Sequence, residues 1–236
     1  MIKTILKNTY LYKRYRAYKA EKRERRKNAL NEAFKTEAVD VLRLFSDALL
    51  SNGLVFWLDY GTLLGYYREH DFIPHDYDLD TGAWFKDHER IRKALEAAGF
   101  ELVRYYYLRD KDGMEECYKH KKYRTTIDVL YFMTEGDKSF CYSFFPMVAM
   151  NKKKNLNKLQ PSRARLWTFS IIQPVLSEFK GVKVYVPDNT AQHLASTYGD
   201  SFMTPIPDFP VVGRPNMKEF SYEELPACAF LKVGYV

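Results

Sequence analysis

Between residues 30 and 52 the apolar positions Phe34, Ala38, Val41, Leu42, Phe45 and Leu49 recur every three or four residues, and Gly53 follows as a stop. That spacing predicts a helix with one face turned to a core. Residues 2–28 carry a looser stripe of Ile2, Ile5, Leu6, Leu11, Tyr15 and Tyr18 among many basic residues, which predicts a separate basic amphipathic helix. Further along, aromatic and β-branched residues dominate shorter runs. Segments 54–58, 100–108, 125–132 and 182–186 read as strands. Segment 73–81 is expected to be extended, because Pro74 excludes a helix interior and polar and apolar residues then alternate. Residues 61–68 predict a tight turn opening a short helix. A helix capped by Asp87 is expected to run to Ala98 and stop at Gly99, and another runs over 189–198 to Gly199. Asp112-Gly113 between strand-like flanks predicts a hairpin. Residues 151–165, with six Lys or Arg and few apolar positions, read as a surface loop, and 204–210, with three prolines, as an extended one.

These elements make an α+β domain over residues 30–236, preceded by the basic helix of residues 1–29. A chain of 236 residues that is 46% hydrophobic and 16% aromatic can bury a real core, which argues against disorder. The net charge is +7, yet residues 1–30 alone carry eleven Lys or Arg against two Glu, so the rest of the chain is slightly acidic. The basicity therefore belongs to the N-terminal helix, which is suited to an anionic membrane surface. Cys117, Cys141 and Cys228 form no CxxC pair, which argues against a disulfide framework or zinc cluster and for a reducing compartment. No run reaches the ~20 apolar residues of a spanning helix, and no leader peptide is recognisable. A cytoplasmic protein is expected, with the basic helix either solvated or lying on the inner face of the plasma membrane.

The chemistry concentrates in Asp76-Tyr77-Asp78-Leu79-Asp80. On a strand, alternate side chains share a face, so the three carboxylates point one way. Their repulsion is relieved by a divalent cation, and hard oxygen ligands suit Mg²⁺ or Mn²⁺. A solvated acidic turn is the plainer alternative. A calcium EF-hand loop is excluded, since its required Gly and Glu positions fall on Thr81 and Asp87. Asp128 stands alone in an apolar strand. It either pairs with a core arginine such as Arg124 or joins Asp78 and Asp80, completing a metal site or taking a proton from an attacking hydroxyl. Gly61-Thr62 opens a helix where backbone N–H groups favour phosphate. The basic run of 152–165 suits an anionic acceptor.

The stretches Asp59-Tyr60-Gly61-Thr62-Leu63-Leu64-Gly65-Tyr66-Tyr67-Arg68 and Phe72-Ile73-Pro74-His75-Asp76-Tyr77-Asp78-Leu79-Asp80 resemble the LicD family. That family includes bacterial phosphocholine transferases, fukutin and fukutin-related protein. Lys183 to Pro187, His193-Leu194 and Tyr198-Gly199-Asp200 resemble its C-terminal signature. The resemblance implies a nucleotidyltransferase-like fold, a mixed sheet flanked by helices. It implies transfer of a phospho-alcohol such as phosphocholine, ribitol phosphate or glycerol phosphate. It further implies a CDP-linked donor, a hydroxyl of a cell-surface or lipid-linked glycan as acceptor, and release of CMP. Carried over, Asp78 and Asp80 are the metal-binding pair, with Asp76 the first aspartate of the motif. Gly61, Thr62 and Arg68 face the donor phosphates, and Asp128 fits the third acidic position. The chain departs from the family pattern at His75, where tryptophan is usual. A glycosyltransferase using D-x-D with a nucleotide-sugar is the alternative enzyme, although it calls for a nucleotide-binding βα unit before the aspartates. A module binding membrane or nucleic acid through the basic helix leaves the aspartates without purpose, and nucleic acid is not an expected partner.

Overall fold

The computed structural model describes residues 10–147, 157–206 and 213–232. No glycine or proline occurs before Gly53, and the described part of this stretch forms a single 41-residue helix, α1 (Tyr10–Leu50). The sequence reading divides it near residue 29, but Ala29 and Leu30 are strong helix formers and nothing there breaks the hydrogen-bond ladder. At 1.5 Å per residue α1 is about 60 Å long. Residues 13–29 are exposed, whereas Phe34, Ala38, Val41, Leu42, Phe45 and Leu49 are buried. Residues 1–9, the start of the expected basic helix, lie outside the described residues. No helix among the described residues is long and apolar enough to cross a membrane.

The core half of α1 covers one face of a mixed sheet. β1 (Phe56–Leu58) pairs antiparallel with β2 (Asp78–Trp84), and β2 pairs parallel with β5 (Thr126–Glu135). Antiparallel pairing then leads from β5 to β4 (Met114–His120), to β3 (Phe100–Leu108) and to β11 (Ala227–Leu231). β11 pairs with β7 (Gln160–Ser170), β7 with β6 (Lys138–Pro146), and β6 returns to the distal half of β5. Six strands thus close a hydrogen-bonded circuit, with Tyr106, Leu108, Tyr142, Phe144, Ala164 and Ala229 among the side chains of its own apolar cluster. β10 (Met217–Phe220) edges β7. Two short helices frame β1 and β2: α2 (Tyr60–Leu64), extended by a π turn over Gly65–Glu69, and α3 (His88–Ala97). A hairpin of β8 (Pro174–Phe179) and β9 (Val182–Pro187), followed by α4 (Thr190–Tyr198), completes the described body.

Several local expectations shift. The extended segment 73–81 becomes a strand only at Asp78, because the Asp76 N–H bonds Ile73 O in a turn, and it continues to Trp84. Asp87 does not cap α3: a 3₁₀ turn over Phe85–Asp87 precedes the helix, and the Asp87 carboxylate takes Arg90 instead. The basic segment 151–165 is partly strand, since β7 begins at Gln160 and both Arg163 and Arg165 are tied to Glu219 on β10. Residues 148–156, including Lys152, Lys153 and Lys154, lie outside the described residues, as do 207–210 of the proline-rich segment.

Candidate active site

The parallel register sets Asp80 on β2 directly beside Asp128 on β5. Neighbouring strands lie about 4.8 Å apart, so the two carboxyls share one face of the sheet. Asp78, two residues earlier on β2, joins them by the period of two. Leu79 between them is fully buried, whereas Tyr77 is 39% exposed. Asp76 lies before the strand and reaches the cluster from the turn.

Residues 59–62 grip Asp80 at three points. The Asp59 N–H donates to Asp80 O at 3.1 Å, the Asp80 N–H donates to Thr62 Oγ1 at 2.8 Å, and the Gly61 N–H donates to Asp80 Oδ2 at 3.1 Å. Tyr60 adopts φ 39°, a left-handed conformation uncommon outside glycine, and so turns the following N–H toward the aspartate. Gly61 leaves room above its α-carbon: a Cβ there would stand 3.0 Å from Asp76 Oδ2 and 3.2 Å from Asp80 Oδ2. The turn is locked by Asp59, whose carboxylate accepts the Tyr60 N–H at 2.8 Å and is 2.8 Å from His193 Nε2 of α4, with both side chains buried. Gly61 and Thr62 therefore hold the aspartate strand, with the Gly61 amide and the Thr62 oxygen engaged by Asp80.

Asp128 is partnered by Arg104, not Arg124. Arg104 Nη2 donates to Asp128 Oδ2 at 2.6 Å, while the Arg124 side chain is exposed. Arg104 sits on β3 opposite Cys117, and Cys117 opposite Asp128, so one row runs Asp80, Asp128, Cys117, Arg104 across four strands. A lone arginine within the apolar run Leu102-Val103-Arg104-Tyr105-Tyr106 was the sequence signal for it. Thr81 Oγ1 donates to Asp128 O at 2.9 Å and ties β2 to β5.

The electrostatics follow from this crowding. Burial pushes the Asp78 carboxyl up to about 7, with Asp128 adding to the rise and Arg104 opposing it. Asp80 is driven well above the carboxylate range, first by burial and then by Asp78 and Asp128. Asp76 is raised to about 6 by burial, which His75, Lys27 and Arg68 partly offset. Glu115, two residues from Cys117 on β4, is raised to about 8 by burial and by Asp128. Among the described residues no three acidic, imidazole or thiol groups converge into a ready-made metal cage. The donor set nevertheless fits a hard cation: the aspartates form an open row of oxygen ligands, and Asp128 Oδ1 is buried with no hydrogen-bond partner among the described residues.

Two cavities of similar size flank the row. One, about 470 Å³, joins Gly61, Asp76 and Arg68 to Tyr198, Phe202 and Ile206, with His75 and Lys27 at its wall. Arg68, predicted at the donor phosphates, is mostly buried there, with Nη1 on Phe202 O at 3.0 Å and Nε on Glu69 at 2.7 Å. The other cavity, about 460 Å³, opens on Asp78.

A nucleotidyltransferase domain is what this fold and site define. The chain belongs to the LicD/FKTN/FKRP family, whose nucleotidyltransferase domain matches residues 53–189. This bears out the family resemblance carried by the two central stretches. Among curated relatives, ribitol-5-phosphate transferase FKTN of Homo sapiens is 29% identical over 175 residues, which is 74% of this chain and 35% of that protein. The Mus musculus protein of the same name is 28% identical over 174 residues, covering 73% and 34%. The chain thus spans about a third of the length of these relatives. An uncharacterized Caenorhabditis elegans protein is 41% identical over 71 residues, covering 29% of this chain and 19% of that one. Among solved structures, the lincomycin-bound lincosamide antibiotic adenylyltransferase LnuA covers 71% of this chain and 92% of its own, with a TM-score of 0.41 at 15% identity.

Proposed function

We propose that this domain transfers a phospho-alcohol from a CDP-linked donor to a glycan hydroxyl, releasing CMP. The observation that carries the reading is the juxtaposition of Asp78, Asp80 and Asp128 on parallel strands, beside a cavity that contains Gly61 and Arg68. The similarity to ribitol-5-phosphate transferases supports the class of group transferred. The apolar and aromatic wall of that cavity suits a nucleoside, and Arg68 offers charge to a phosphate. Asp78, Asp80 and Asp128, with Asp76 within reach, would hold Mg²⁺ or Mn²⁺, which supplies charge neutralisation at the phosphate oxygens and acidifies the attacking hydroxyl.

The chain's own groups then account for the balance of the step. The acceptor oxygen forms a bond to the phosphorus that bears the alcohol. The bond from that phosphorus to the bridging oxygen breaks, and CMP carries the electron pair away. The hydroxyl proton passes to a carboxylate: Asp128, whose Oδ1 is buried with no hydrogen-bond partner among the described residues, would either take it or share the ion with Asp78 and Asp80. Arg104 keeps the other oxygen of Asp128 occupied and so orients it.

Asp78→Asn should lower turnover by at least about 10²-fold, since one electrostatic contact to the transition state contributes several kcal/mol. The measurement is CMP release with CDP-choline, CDP-ribitol and CDP-glycerol, with UDP-sugars run alongside. Full activity of the variant with a CDP-alcohol would end the proposal, and turnover of UDP-sugars alone would favour glycosyl transfer.

A further inference from the structure

The second cavity differs in chemistry from the first. Arg26 of α1, Arg104 of β3, Lys119 of β4 and Arg124 before β5 line it, against the single carboxylate of Asp78. Arg104 is paired with Asp128, but Arg26, Lys119 and Arg124 make no ion pair among the described residues. Cations normally disperse or find carboxylates when brought together, because like charges held close repel. Here they are brought together from separate elements. Arg26 comes from a helix whose Glu37 accepts the Arg124 and Thr125 N–H groups at 2.7 and 2.8 Å. Lys119 faces Thr126 across the β4–β5 pair, and Thr126 faces Asp78 across β5–β2.

We infer that this cavity is a phosphate-binding subsite, separate from the nucleotide cavity, that holds an anionic phosphate group of the acceptor next to Asp78. Adjacent residues of α1 serve the two sides, Arg26 the anion cavity and Lys27 the nucleotide cavity. The basic helix is thereby a wall of the site. In the basic run 152–165, Arg163 and Arg165 are tied to Glu219, and Lys152, Lys153 and Lys154 lie outside the described residues. Volume and charge both suit a phosphate monoester or diphosphate, whose oxygens accept from several guanidinium and ammonium groups at once. The assignment of the anion to the acceptor rests on the transfer reading, but the existence of the subsite does not.

The test is calorimetric titration of inorganic pyrophosphate into the whole chain in metal-free, low-salt buffer. Arg26→Glu and Lys119→Glu should each weaken binding tenfold or more. Arg16→Glu makes the same charge change on the exposed stretch of α1, about 15 Å further along the helix, and should leave binding unchanged. Asp78→Asn should bind pyrophosphate as well as or better than the parent while losing transfer, so a failure of catalysis and a failure of the subsite read separately. Saturating CMP should not displace pyrophosphate. Unchanged binding in both cavity variants, equal loss in Arg16→Glu, or displacement by CMP would overturn the inference.

Discussion

At the scale of single residues, Gly61 carries the sharpest constraint. The carboxylates of Asp76 and Asp80 both lie over its α-carbon, so even one methyl crowds them. Gly61→Ala should cut CDP-alcohol turnover by ten- to a hundredfold while changing the thermal midpoint little, because the neighbours that give way are carboxylates at the site and not the core. Circular-dichroism melts beside CMP-release assays check this, and an unaltered rate would remove Gly61 from the positioning of the aspartates. Asp76, Asp78, Asp80, Asp128, Gly61, Thr62 and Arg68 were all visible in the sequence as residue types at suggestive spacings. Their partners were not. Arg104 lies 24 residues before Asp128 and His193 lies 134 residues after Asp59, and no local period encodes contacts at such separations.

At the scale of elements, α1 acts as a brace. Asn31 donates from its side-chain amide to Pro74 O at 2.9 Å and Asp76 O at 2.6 Å, holding the turn that delivers Asp76. On the same helix Glu37 holds the entry to β5. Asn31→Ala should cost about 1–2 kcal/mol, the net value of two hydrogen bonds, and should speed amide exchange across residues 73–77. Denaturant melts and hydrogen exchange measure both, and exchange at the parent rate would show that the turn holds itself. Helix and strand identity was largely legible from periodicity, as in α1, β3, β5 and β9. Strands β6, β7, β10 and β11 were not, because each takes its identity from the neighbours that complete the six-strand circuit.

For the whole molecule, the raised carboxyls couple the site to stability. Asp76 at about 6, Asp78 at about 7 and Glu115 at about 8 stand above the ~4 of an unfolded chain. Between about pH 4 and 8 the folded protein therefore binds more protons than the unfolded one, and its stability falls as pH rises. In EDTA the thermal midpoint should be lower at pH 8 than at pH 5. Millimolar Mg²⁺ should restore it at pH 8 and do little at pH 5, where protonated carboxyls bind the ion poorly. A midpoint indifferent to Mg²⁺ at pH 8 would count against cation binding by the aspartate row.

The sequence by itself determined the amphipathic period of α1, the aspartates of the D-x-D run, the turn glycine and the family to which they belong. Each of these is written in spacings of a few residues, within reach of local sterics and side-chain alternation. Only the tertiary structure decided that Asp128 stands beside Asp80, that Arg104 and not Arg124 holds it, and that α1 walls two cavities. Those relations depend on strand register and on long-range packing, where the lowest free energy of the whole chain selects the neighbours.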